Sequence, residues 1–203
     1  MTDSDLHTRQ YLKDFRMLSN VLFALCMFAS VLTIQFTRSD MAEPDLLALL
    51  KENMVAVGNF VVAFMFLAMY WVKFVGKMYY IKHSNARLLV LWLMYLAVVC
   101  LYPFAENLLG NFPGSPVAQI FFSGLWAVIG VLALLNWWYA NRAGLTDPDM
   151  DEKDATRLYW ESFPEPVAAL VSIPFALFSD LGYYAVMLAI LPANLWISRR
   201  FAD

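Results

Sequence analysis

A chain of 203 residues that is 61% hydrophobic, 16% aromatic and only 15% charged falls outside the soluble range of roughly half apolar and a quarter charged. Its net charge of -3, with Lys and Arg confined to short clusters between apolar runs, excludes the broad basic surface that nucleic acid requires. Cys26 and Cys100 both fall inside apolar runs without CxxC spacing, so they read as small core residues and indicate neither a disulfide framework nor a zinc site.

Lipid is the expected solvent, and a helix needs about 20 apolar residues to cross it because backbone amides cannot be left unpaired there. The N-terminus carries charges of both signs and no small-residue cleavage pattern, so the first span is expected to be retained. Runs without Asp, Glu, Lys or Arg predict crossings at 17–37, 53–72, 88–105 and 117–140. The stretch 144–154, with Pro148 and the acidic residues Asp147, Asp149, Asp151, Glu152 and Asp154, resembles a soluble linker too short to be a domain. Beyond it, Asp180 and Gly182 divide the last apolar stretch into pieces at 162–179 and 181–198. The first piece is short, so a re-entrant segment and five crossings stand against six.

Loop charge favours six, since Lys and Arg accumulate on the cytoplasmic side. Six crossings put Arg9, Lys13, Arg16, Lys73, Lys77, Lys82, Arg87, Arg142, Lys153, Arg157, Arg199 and Arg200 on one face, leaving Arg38 and Lys51 on the other. The expectation is an all-α protein forming one six-helix transmembrane domain over 1–203, multi-pass in the cell membrane with both termini cytoplasmic. Trp71, Tyr79, Tyr80, Trp137, Trp138, Tyr139, Trp160 and Trp196 fall near the predicted cytoplasmic ends, where aromatic rings anchor in the headgroup layer.

Signs of chemistry are few. His7 and His83 lie in predicted cytoplasmic loops away from any carboxylate motif, and GxxxxGK[ST], GxSxG and HExxH are absent, so no enzyme and no cofactor is expected. Glu106 and Asp180 fall at predicted outer ends of spans, which suits solvated or capping carboxylates better than the mid-membrane group of a transporter. The carbonyl-ring filter sequence TVGYG is also missing. In span one, Ser19, Phe23, Cys26, Ser30, Thr33 and Thr37 recur at spacings of three and four. Such a stripe of small or weakly polar groups either packs against neighbouring helices or lines a wet pathway.

Three stretches carry a family resemblance. FVVAFMFLAMYWVKF at 60–74 and LLVLWLMYLAVVCLYPFAENLLG at 88–110 resemble the second and third helices of the transmembrane protein 175 family, the lysosomal and bacterial potassium channels. LSNVLFALCMFASVLTI at 18–34 resembles that family's signature helix, which begins RxxxFSD, and the proline-interrupted end resembles its last two helices. The resemblance implies six-helix subunits assembled as a homotetramer, with four first helices around a pore narrowed by rings of apolar side chains. Its implied partners are further copies of the chain, potassium or other monovalent cations, and the bilayer.

Aligning Leu18, Ser19 and Asn20 on FSD implies constriction positions at Leu25, Phe28 and Leu32, and assigns the Ser19–Cys26–Ser30–Thr33 stripe to packing. Matching Arg16 with the motif's arginine implies a different pore face of Met27, Ser30 and Ile34. Several polar positions of the family are replaced: Asp14 for arginine, Asn20 for aspartate, Phe74 for histidine, Trp92 for asparagine and Glu106 for threonine. Aromatic packing is therefore expected to stand in for hydrogen bonds around the first helix. The implied function is a cation channel, potassium-permeable or also proton-permeable, with an apolar constriction that gates by dewetting. Its alternatives are a non-conducting scaffold or sensor that keeps the fold, and a small secondary transporter.

Overall fold

The computed structural model describes residues 3–32 and 46–200 of the chain. Among the described residues the regular structure is helical: α1 (Asp3–Leu32), α2 (Leu46–Tyr80), α3 (Ala86–Cys100), α4 (Tyr102–Asn111), α5 (Pro116–Arg142), α6 (Glu152–Trp160), α7 (Pro164–Phe175), α8 (Asp180–Leu188) and α9 (Ile190–Arg200). Helices are the form expected in lipid, where each backbone group must pair within its own segment. Among the described residues four stretches are long and apolar enough to cross a membrane: Gln10–Leu32, Val57–Tyr80, Ala86–Asn111 and Pro116–Arg142.

Local sequence sets the helix boundaries. Asn85 caps α3 by accepting from the Leu88 amide at 2.9 Å, and Ser115 caps α5 ahead of Pro116, whose missing N–H costs nothing in a first turn. Ser179 caps α8 through the Gly182 amide. α3 gives way to α4 at Leu101, where Pro103 in the next turn has no amide to donate. α5 lies at the centre and packs against α3, α4, α6 and α7. Its approach to α7 depends on Gly130, because a Cβ there would stand 2.5 Å from Pro166 Cδ.

Several sequence expectations need revision. α2 does not end at Val72 but continues two turns to Tyr80, so Lys73 and Lys77 are helical residues packed inside the bundle instead of loop cations. Their charge is met locally: Lys73 Nζ pairs with Glu165 and reaches Asn194 Oδ1 at 3.0 Å, while Lys77 Nζ donates to Ser162 Oγ at 2.6 Å and to the Ala133 carbonyl at 3.1 Å. Trp137 is a core residue and not an interfacial anchor, since its indole N–H is satisfied inside the protein by the Ala155 carbonyl at 3.1 Å. α1 begins at Asp3, so His7 belongs to a helix and not to a loop.

The 144–154 stretch is tied down where the sequence reads as a free linker. Leu145 O accepts from the amides of Lys82 and His83, the Asp147 amide reaches Tyr80 O at 2.7 Å, and Lys82 Nζ lies 3.3 Å from Asp147 Oδ2. The Asp149 amide and the Lys82 ammonium hold the Asp147 carboxyl below its ordinary value.

Candidate pore helix and its support

α1 carries two stripes at helical spacing. Leu12, Phe15, Ser19, Phe23, Cys26 and Ser30 are buried against α2, α3 and α4. The weakly polar stripe is thus a packing surface, as far as Ser30; Thr33 and Thr37 lie outside the described residues. Its hydroxyls turn back on their own helix, Ser19 Oγ to Phe15 O at 2.8 Å and Ser30 Oγ to Cys26 O at 3.2 Å. With the polar atoms bonded to their own backbone, small side chains let neighbouring helices approach closely.

The opposite stripe is bare. Leu18, Val21, Leu25, Phe28 and Leu32 are exposed, with Leu25 at 55%, Phe28 at 60% and Leu32 at 68%, and Asp14 continues the same register one turn earlier. Between Met17 and Leu32 no described residue of α1 is ionisable except the buried Cys26 thiol. Of the other candidate face, Met27 is half-buried, Ser30 is fully buried, and Ile34 lies outside the described residues.

Four contacts hold this helix in its rotation. Asn20 Oδ1 accepts the Trp71 indole N–H at 3.0 Å. Arg16 donates to the carbonyls of Met78 and Ile81 at the end of α2, where unpaired carbonyls and the negative end of the helix dipole favour a cation. Beneath Phe15 and Phe23 sits Phe74, whose ring centroid is 6.5 Å and 5.6 Å from theirs. Cys26 Sγ and Cys100 Sγ are 3.7 Å apart, joining α1 to α3. Cys100 is exposed, which corrects its reading as a core residue, although its thiol reaches Cys26.

Residues 15–103 fit the family model described as endosomal/lysosomal potassium channel TMEM175. The fold matches the crystal structure of a lysosomal potassium-selective channel TMEM175 homolog from Chamaesiphon minutus, with a TM-score of 0.75 and 16% identity over 96% of this chain and 100% of that one. The chain is thus similar to the TMEM175 family over residues 15–103 and shares the fold of that homolog. No curated protein matches its sequence.

Two of the positions where the resemblance implies polar side chains, 74 and 92, are aromatic packing in this fold. Phe74 meets Trp92 edge to face at 5.0 Å and stacks on Tyr95 at 6.3 Å, and Trp92 and Tyr95 meet at 90°. Each such pair adds about 0.5–1.5 kcal/mol beyond its buried area. The sequence alone marked Asn20 and Phe74 as unusual, but not Trp71 as the partner of Asn20. Trp71 carries the signal of an interfacial aromatic, and only the packing of α1 on α2 brings it to Asn20. Of Glu106 and Asp180, the latter is engaged by Gln119 Nε2 at 2.8 Å. Glu106 is turned into the bundle, and its Oε2 is buried without a hydrogen bond among the described residues.

Proposed function

We propose that this protein is a subunit of a cation channel, most simply a homotetramer, whose pore is lined by the exposed stripe of α1. One observation carries the reading. Leu18, Val21, Leu25, Phe28 and Leu32 form an apolar face with no partner in the subunit, on the helix whose other face is fully packed. The matching family model is that of a potassium channel and the similar structure is a homolog of a potassium-selective channel, which supports potassium as the permeant ion.

In this reading the subunit crosses the membrane six times with both termini cytoplasmic, α7 forming the fifth crossing and α8 with α9 the sixth. The cationic residues of the α2–α3 loop, the α5–α6 region and the C-terminus then share one side. Rings of Leu25, Phe28 and Leu32 constrict the path, and a narrow apolar constriction disfavours water and hydrated ions until it widens. Asp14, in register with these residues, places a ring of carboxylates at the cytoplasmic mouth, where it raises the local concentration of cations.

Potassium flux through reconstituted protein tests this. Wild type conducts weakly, and Leu25→Ala or Phe28→Ala raises the flux by shortening the apolar constriction. Silence of wild type and both variants across voltage would reject conduction and leave a non-conducting scaffold as the reading.

A further inference from the structure

Apart from the α1 face, the bundle contains a cavity of about 440 Å³ between α2, α4, α5 and α8. Its walls are mostly apolar or aromatic, including Val62, Phe66, Tyr102, Trp126 and Met187, and Glu106 also lines it. Two polar atoms there lack partners among the described residues: Glu106 Oε2 and Trp126 Nε1, both buried. Trp126 is 1% exposed. Buried polar atoms are nearly always paired, so the unpaired Oε2 of Glu106 leaves a carboxylate beside this cavity without full compensation from the protein.

The chemistry of the walls narrows the ligand. A single carboxylate in an apolar chamber calls for one positive charge, and the aromatic rings favour that charge further. A bare metal ion is a poor match: no group of three His, Cys, Asp or Glu side chains that could hold one occurs among the described residues, and hard cations take six or more oxygens. The volume suits an organic cation with an apolar body.

We propose that this cavity binds an amphipathic amine, its ammonium paired with the Glu106 carboxylate and its chain among the apolar walls. The site is separate from the stripe of α1 on which conduction rests, so it stands whether or not the protein conducts.

The test is binding of 2-(octylamino)ethanol to detergent-solubilised protein, followed by calorimetry and thermal unfolding, with octanol and octanoate as controls of equal chain length. The expected result is saturable binding of the amine alone. Removing one partner of a buried charge pair weakens binding about tenfold or more, so Glu106→Gln is expected to lose the amine by that factor while micelle partitioning stays the same. Val62→Trp, which fills the chamber from a residue half-exposed on its rim and keeps the carboxylate, is expected to abolish binding as well. Equal binding of octanol and the amine, or undiminished amine binding by both folded variants, would overturn the proposal.

Discussion

Phe74 and Trp92 meet edge to face with ring centroids 5.0 Å apart, each at most 2% exposed. They connect α2 to α3 directly beneath α1, at two positions where the family resemblance leads one to expect polar side chains. Phe74 also touches Phe15 and Phe23 of α1, so one ring supports the candidate pore helix from below. Phe74→Ala is therefore expected to cost about 3–5 kcal/mol through lost contacts and a cavity. Thermal unfolding in detergent measures it, and a change under about 1 kcal/mol would contradict the packing described.

The Lys73–Glu165 pair joins α2 to the start of α7 with the carboxylate side chain only 3% exposed. Truncating one member strands the other as a buried charge, at about 3–5 kcal/mol, whereas apolar replacement of both is close to neutral. Lys73→Met and Glu165→Leu should each destabilise strongly, and the double variant should recover most of the loss. Additive destabilisation in a double-mutant cycle would show that the two do not interact.

Cys26 and Cys100, 74 positions apart in sequence, place their sulfurs 3.7 Å from each other. A membrane-permeant azo oxidant such as diamide takes up the two thiol hydrogens as the disulfide forms, being itself reduced to the hydrazine. Mass spectrometry of the digested protein is expected to find the 26–100 cross-link in wild type and none in Cys100→Ser. Absence of the cross-link after exhaustive oxidation would mean that α1 is rotated or displaced relative to α3.

Asp14 lies on the same stripe of α1 as Leu18, Val21 and Leu25. If four copies ring the cytoplasmic mouth, Asp14→Lys lowers cation conductance at low ionic strength. The difference shrinks toward 1 M salt, where the screening length falls from about 10 Å at 0.1 M to about 3 Å. Single-channel recordings across that range provide the measurement, and a salt-independent effect would remove Asp14 from the ion path.

Acid should loosen the clamp between the α2–α3 loop and the 144–154 stretch. The Asp147 carboxyl is held below its ordinary value by the Asp149 amide and by Lys82. Folding thus gains from its ionised form above the unfolded-state value near about 4, and the gain disappears as pH falls through the lower folded-state value. Hydrogen exchange at the Lys82 and His83 amides, both bonded to Leu145 O, reports it. Asp147→Asn is expected to flatten that pH dependence, and an unaltered profile would assign the acid sensitivity to other groups.

Much of this protein follows from its sequence because the lipid environment limits the options. Unbroken apolar runs must be helices, and the two stripes of α1 are visible as residues recurring every three or four positions. The helix spacing of Ser19, Cys26 and Ser30, and of Leu18, Leu25 and Leu32, is a property of the chain alone. Which stripe turns inward is not, because either is apolar enough to face lipid or protein, and hydropathy therefore does not distinguish them. Tertiary packing decided it: the small side chains admit α2, α3 and α4 closely while their hydroxyls bond to their own backbone, and the bulky aliphatic stripe is left uncovered. The same reason explains Lys73 and Lys77. As isolated charges they read as a loop, and only Glu165, Ser162 and the Ala133 carbonyl, brought from distant segments, make it possible for α2 to carry them as helix.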